Sequence, residues 1–194
     1  ASSLVGSEMC IRDRARRCIR MGTKRIMSSI EGDGDEVRAI SLIDPPPFES
    51  WITIVDPAVL ESGLQHEWIS KAIPDGSGYS WIRTEGRRPL LIHTEPINED
   101  DDVRGFVVST GQVVQHRLSP PEDHTISQIA SSLARLEIGS VTLRCSLDPD
   151  MHPKLQRRLH RAMREIEGSR SFMVDIELSR DTGNYTMFVV CRED

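Results

Sequence analysis

The chain lacks most of the features that announce a function. No apolar run approaches the roughly 20 residues that a bilayer-spanning helix needs, so nothing in the sequence asks for a membrane. The four cysteines, Cys10, Cys18, Cys145 and Cys191, form no C-x-x-C pair, which removes the usual zinc and dithiol motifs. Lysine is nearly missing after residue 26, with only Lys71 and Lys154. There is no internal repeat, and the leading reading of the sequence calls for no cofactor. With 38% apolar and 28% charged residues, the 194-residue chain has the composition of a globular protein with one sizeable core or two small ones.

The first residues read differently from the rest. Met9-Cys10-Ile11-Arg12-Asp13-Arg14 resembles a translated transposon-end adaptor from a sequencing library, which implies that residues 1–14 are not native. Met21 and Met27 are candidate starts. Met27-Ser28-Ser29, followed by the run Glu31-Gly32-Asp33-Gly34-Asp35-Glu36, reads as a disordered acidic tail. The expected organisation is therefore a leader at 1–26, a tail at 27–37, an N-terminal α+β half at 38–118 and a C-terminal α/β half at 123–194. Pro120 and Pro121 lie between the two halves. Setting aside the seven basic and two acidic residues of 1–26, from totals of 24 and 30, leaves 17 and 28, a net charge of −11. Such a surface repels nucleic acid and anionic membrane except through a local patch. With no leader counted and no paired cysteines, a cytoplasmic, reducing setting is expected.

Along the chain the expected class is α+β. It has a mostly antiparallel N-terminal sheet with one helix, then a C-terminal β-α-β-β unit preceded by a helix. Strands are expected at 38–43, 51–55, 79–84, 90–95, 103–109 and 112–118, the last four as antiparallel neighbours because connections this short cannot make parallel crossovers. Asp56-Pro57 opens a helix with Leu60, Leu64, Trp68 and Ala72 on one stripe. Thr125 and Gln128 fit a capping box for a helix running to Ile138, with Gly139 as its stop. Alternation marks strands at 141–147 and 172–178, and Asp181-Thr182-Gly183-Asn184 turns the chain into 185–192.

The chemistry-bearing groups are few. In a helix expected over 153–167, Leu155, Leu159, Ala162, Met163 and Ile166 fall within about 100° of arc, with Lys154, Arg157, Arg158, Arg161 and Arg164 opposite. A helix between two strands lays its apolar face on the sheet, so the five cations face outward. They offer phosphate-type contacts to an anionic partner, either nucleic acid or an acidic protein. The competing account is a solvated face whose arginines pair with acids such as Glu165 and Glu167. Asp148, Asp150 and His152 in the preceding turn supply oxygen and nitrogen donors for a divalent metal. Helix capping by Asp150 or His152 is the plainer role. Asp175 and Glu177 share one strand face without the lysine that a nuclease pattern would place at Ser179. His66, His93, His116, His124 and His160 are scattered, and no catalytic residue is singled out.

One further resemblance bears on activity. Ile43-Asp44-Pro45-Pro46-Pro47-Phe48 is similar to the Asp-Pro-Pro-aromatic signature of amino methyltransferases, with Pro47 inserted before the aromatic residue. The resemblance covers six residues, and the glycine-rich cofactor strand is absent upstream. It implies that Asp44, at a strand end, would hold a target nitrogen beside S-adenosylmethionine. The first expectation is a binding or assembly module with a basic helix face. A truncated methyltransferase-like enzyme and a small divalent-metal-dependent enzyme are the alternatives.

Overall fold

A computed structural model describes residues 7–12, 15–21, 26–34 and 37–193. The fold is α+β, as the alternation of strand and helix periods implies. Its elements are β1 (Ser7–Arg12), β2 (Ala15–Met21), β3 (Ile26–Gly32), β4 (Trp51–Val55), α1 (Pro57–Glu61), α2 (Gln65–Ala72), β5 (Tyr79–Arg83), β6 (Leu90–His93), α3 (Asp101–Arg104), β7 (Val107–Arg117), α4 (Ile126–Ala134), β8 (Ile138–Leu143), α5 (His152–Ala162), β9 (Ser169–Arg180) and β10 (Gly183–Arg192). Strands β1 to β3 form a small antiparallel sheet; the other seven form a mixed sheet in the order β5-β6-β4-β7-β10-β9-β8. The chain divides into two compact units, residues 1–40 with 53–109, and residues 41–52 with 110–194. Residues 119–122, read above as a boundary, lie inside the second unit.

In the first unit, Asp56 caps α1 as its sequence signal implies, its carboxylate accepting from the Ala58 N–H at 3.0 Å. The single helix expected over 56–73 is instead two, because Gly63 takes φ +73° and turns the chain between them. Leu64, Trp68 and Ala72 are buried as their four-residue spacing requires, and they join Val55, Val59, Trp81, Leu91 and Phe106 in one core. Cys18 and Ile30 belong to the same core, and the Ser28 hydroxyl donates to the Asp101 carbonyl at 2.8 Å. Strands β2 and β3, which fall where a leader and a tail were expected, thus contribute Cys18 and Ile30 to the core. Their polar composition hid the two apolar side chains that face inward. Residues 38–41 are not a strand: Ile40 N–H donates to Trp81 O.

In the second unit, the turn expected at Thr110-Gly111 is absent and β7 runs straight through it. Gly111 is buried, and a Cβ there would stand 2.3 Å from the Arg192 carbonyl oxygen, so the residue serves close strand approach. Val103, in the first unit, sits in α3 and not in the strand expected over 103–109. Helix α4 stops at Ala134, short of Ile138, because Glu137 takes φ +56° and Ile138 already belongs to β8. Thr125 makes no cap to the helix. Its hydroxyl bonds both the N–H and the carbonyl of Glu122 at 2.9 Å. Strands β8 and β9 are parallel and joined through α5, while β9 and β10 form a long antiparallel hairpin. The core beneath the helices contains Ile129, Leu133, Val141, Leu143, Leu155, Leu159, Met163, Met173 and Phe188.

Candidate anion-binding surface

Helix α5 forms where Leu155, Leu159 and Met163 recur every four residues, and these three side chains are buried against β8 and α4. The helix is shorter than the periodicity suggests. It ends at Ala162, with Met163 in a non-helical conformation and its N–H bonded back to Leu159 O, and the chain then turns toward β9. Ala162, expected on the apolar side, is exposed, whereas Ile166 is partly buried beside the core.

Two polar side chains of α5 fix its pose on the sheet edge. Strand β8 lies at the end of the sheet, and residues 141 and 143 point away from β9, toward which Arg144 N–H donates at Met173 O. The Gln156 carboxamide occupies that free edge: Nε2 donates to Val141 O at 2.8 Å and Oε1 accepts from Leu143 N–H at 2.6 Å. The Leu143 carbonyl then accepts from His152 Nε2 at 2.9 Å. Because a carbonyl only accepts, His152 carries its proton on Nε2. Helix position, edge satisfaction and orientation of the opposite face are therefore coupled.

That opposite face carries Lys154, Arg157, Arg158 and Arg161, all exposed, with Arg164 exposed on the turn just beyond the helix. Arg158 is paired with Asp123, guanidinium to carboxylate at 2.6 Å, both side chains about half exposed (50% and 54%). Arg157 Nε donates to Pro153 O at 3.2 Å, one turn back on its own helix. Among the described residues, Lys154, Arg157, Arg161 and Arg164 have no acidic partner, and Glu165 and Glu167 pair with none of the five. Asp123 was invisible to sequence reading: it lies 35 residues before Arg158, with no periodic relation to it.

The turn before α5 does not assemble a metal site. Asp148 Oδ1 accepts from Asp150 N–H at 2.8 Å, and the Asp148 carbonyl accepts from Met151 and His152 N–H. With His152 Nε2 committed to Leu143, the three side chains do not converge. Among the described residues no group of three or more His, Cys, Asp or Glu is placed to hold a metal ion. Neither Asp150 nor His152 caps the helix, whose N-terminal residue Met151 has no side-chain cap. Asp175 and Glu177, on one strand face by alternation, differ in setting: Asp175 is buried, its Oδ1 accepting from Ser146 N–H at 2.9 Å, while Glu177 is exposed and accepts from Asn184 Nδ2 at 2.5 Å.

The six residues resembling the methyltransferase signature do not follow a strand. Leu42 makes an isolated parallel bridge to Leu178, Asp44 is exposed, and Phe48 stacks on the His116 ring with centroids 4.5 Å apart. The strand-end geometry that the resemblance implies is missing. His93 is a core residue. It is buried between the Glu95 carbonyl, 2.6 Å from Nδ1, and the Thr53 hydroxyl, 2.8 Å from Nε2, and burial holds its pKa below the usual imidazole value.

No helix among the described residues is long and apolar enough to cross a membrane. Comparison with protein-family models, with curated proteins and with solved structures returned no match.

Proposed function

We propose that the chain is a binding or assembly module that engages an anionic partner, nucleic acid or acidic protein, through the outer face of α5 and the turn after it. One observation carries the reading. Five basic side chains, Lys154, Arg157, Arg158, Arg161 and Arg164, are exposed on one surface of a protein of net charge −6, and among the described residues only Arg158 has an acidic partner. Cations left without acids beside them keep their attraction for a mobile polyanion, whereas paired ones have spent it. A reducing, cytoplasmic setting belongs to the same proposal, supported by the free thiols of Cys18 and Cys191.

The experiment is retention on a heparin column at low salt, with fluorescence titration of the same protein against polyglutamate. The wild-type chain is expected to bind at least one polyanion. The triple variant R157E/R158E/R161E, with circular dichroism confirming its fold, is expected to lose that binding. Equal retention of the two proteins overturns the proposal.

A further inference from the structure

We infer that the partner of the α5 surface is the phosphate backbone of duplex DNA, and that Asp123 withholds Arg158 from it. This rests on the reading above, that the face binds an anion, and goes on to choose the partner and assign a restraint.

Three features of the face select among anionic partners. Four of its five cations are arginines, whose planar fork suits phosphate oxygens in bidentate contact. Between residues 154 and 164 the large apolar side chains Leu155, Leu159 and Met163 are all buried. Within that row an acidic protein partner would therefore meet no apolar anchor of the kind that protein interfaces are centred on; the exposed Met151 stands at the helix start, outside the row. Helix α5 carries no Phe, Tyr or Trp, so the bases of a single strand have no such ring to stack on. Dedicated double-stranded-RNA-binding domains reach two successive minor grooves, over about 16 base pairs. The helical cations, Lys154 to Arg161, span only about 10 Å of helix axis, at about 1.5 Å per residue. A short basic row that meets phosphates and reads no base suits the backbone of a DNA duplex.

The Arg158–Asp123 pair adds a restraint. Arg158 projects from the same face as Lys154 and Arg161, one turn from each, yet its guanidinium is held at 2.6 Å by a carboxylate of the segment before α4. A phosphate approaching Arg158 competes with that carboxylate for the guanidinium's charge and for its Nη1 donor. The face thus offers four cations freely and a fifth only in competition.

The arithmetic of counterion release makes this measurable, since the logarithm of affinity falls by about 0.9 per phosphate contact for each decade of salt. Four free cations set a slope no steeper than about −3.6. Releasing Arg158 steepens it by about 0.9 and tightens binding about twofold to fivefold at low salt.

The test is fluorescence anisotropy of a 20-base-pair DNA duplex against wild type, D123N, R158Q and the double variant D123N/R158Q, from low to physiological salt. Duplex RNA and polyglutamate run in parallel. The expected result is preferential binding of duplex DNA, a steeper slope and tighter binding for D123N, and loss of both gains in D123N/R158Q. If no polyanion binds, the reading of the face itself fails. If polyanions bind but polyglutamate or duplex RNA binds as tightly as DNA, the choice of partner is overturned. If DNA binds with the same slope in D123N and wild type, the restraint by Asp123 is overturned.

Discussion

The Gln156 carboxamide bonds to both Val141 O and Leu143 N–H on the outer edge of β8, and so stands where the peptide group of a neighbouring strand would stand. An open strand edge is a template for pairing with another chain, and proteins commonly cover it. Here one side chain covers it and at the same time anchors the helix that carries the basic face.

Replacing Gln156 by Leu keeps the bulk and removes both bonds, leaving two edge groups without their protein partner. Stability is expected to fall by about 1–3 kcal/mol. Urea titration measures the loss, and size-exclusion chromatography is expected to show concentration-dependent self-association absent from wild type. A Q156L protein as stable and as monodisperse as wild type would show that the carboxamide does not protect the edge.

His93 links the first core to pH. Nδ1 faces a carbonyl and must carry the proton, leaving Nε2 to accept from Thr53 in the neutral ring, and a charged ring in the same place would be held away from water. Burial lowers its folded pKa below the unfolded value of 6.5. The unfolded chain therefore takes up a proton first. Above pH 6.5 His93 costs nothing, and as pH falls from there toward the lowered folded value its contribution becomes destabilising. Urea midpoints for wild type and H93Q between pH 5 and 8 are expected to show a steeper acid-side decline in wild type. Parallel profiles would remove His93 as the cause.

Gly111 tests the reading of β7. A Cβ at this position would sit 2.3 Å from the Arg192 carbonyl oxygen and 3.0 Å from a Phe172 ring carbon. A backbone atom cannot swing aside, so G111A is expected to cost about 1–3 kcal/mol in chemical denaturation. Gly78 has only a Thr94 methyl at 3.5 Å, so G78A is the matched control and is expected to change little.

Cys191 is fully buried on β10, and burial pushes its thiol far above the ordinary range. The thiolate is the reactive form, so native protein at pH 8 is expected to leave Cys191 unalkylated by iodoacetamide, with labelling only after denaturant is added. Peptide mass mapping reads the site directly. Rapid labelling of the native protein would contradict the burial.

Much of this was legible in side-chain periodicity. Strands β4, β5, β6, β9 and β10 lie within a few residues of where alternation and turn residues placed them, and Leu155, Leu159 and Met163 face the core as 100° steps require. What failed was the reading of glycine. Gly63 breaks a helix that its neighbours' spacing makes continuous, and Gly111 continues a strand that its identity seemed to interrupt. The reason is physical, since glycine serves both a positive φ and a close approach, and only tertiary neighbours say which. The basic face was legible for the same reason as the helix. Its partner Asp123, its anchor Gln156 and the engagement of His152 were not, because each depends on a contact between segments that no local pattern encodes.

The chain passes between its two compact units three times, at residues 40/41, 52/53 and 109/110. A fragment beginning at Thr110 would lose Leu42, which accepts from Ser179 N–H, and Ser50, which accepts from Val113 N–H. Neither unit corresponds to one continuous stretch of gene. The basic-helix unit therefore cannot be cut out as a single cassette, and any graft of it has to carry residues 41–52 along with 110–194.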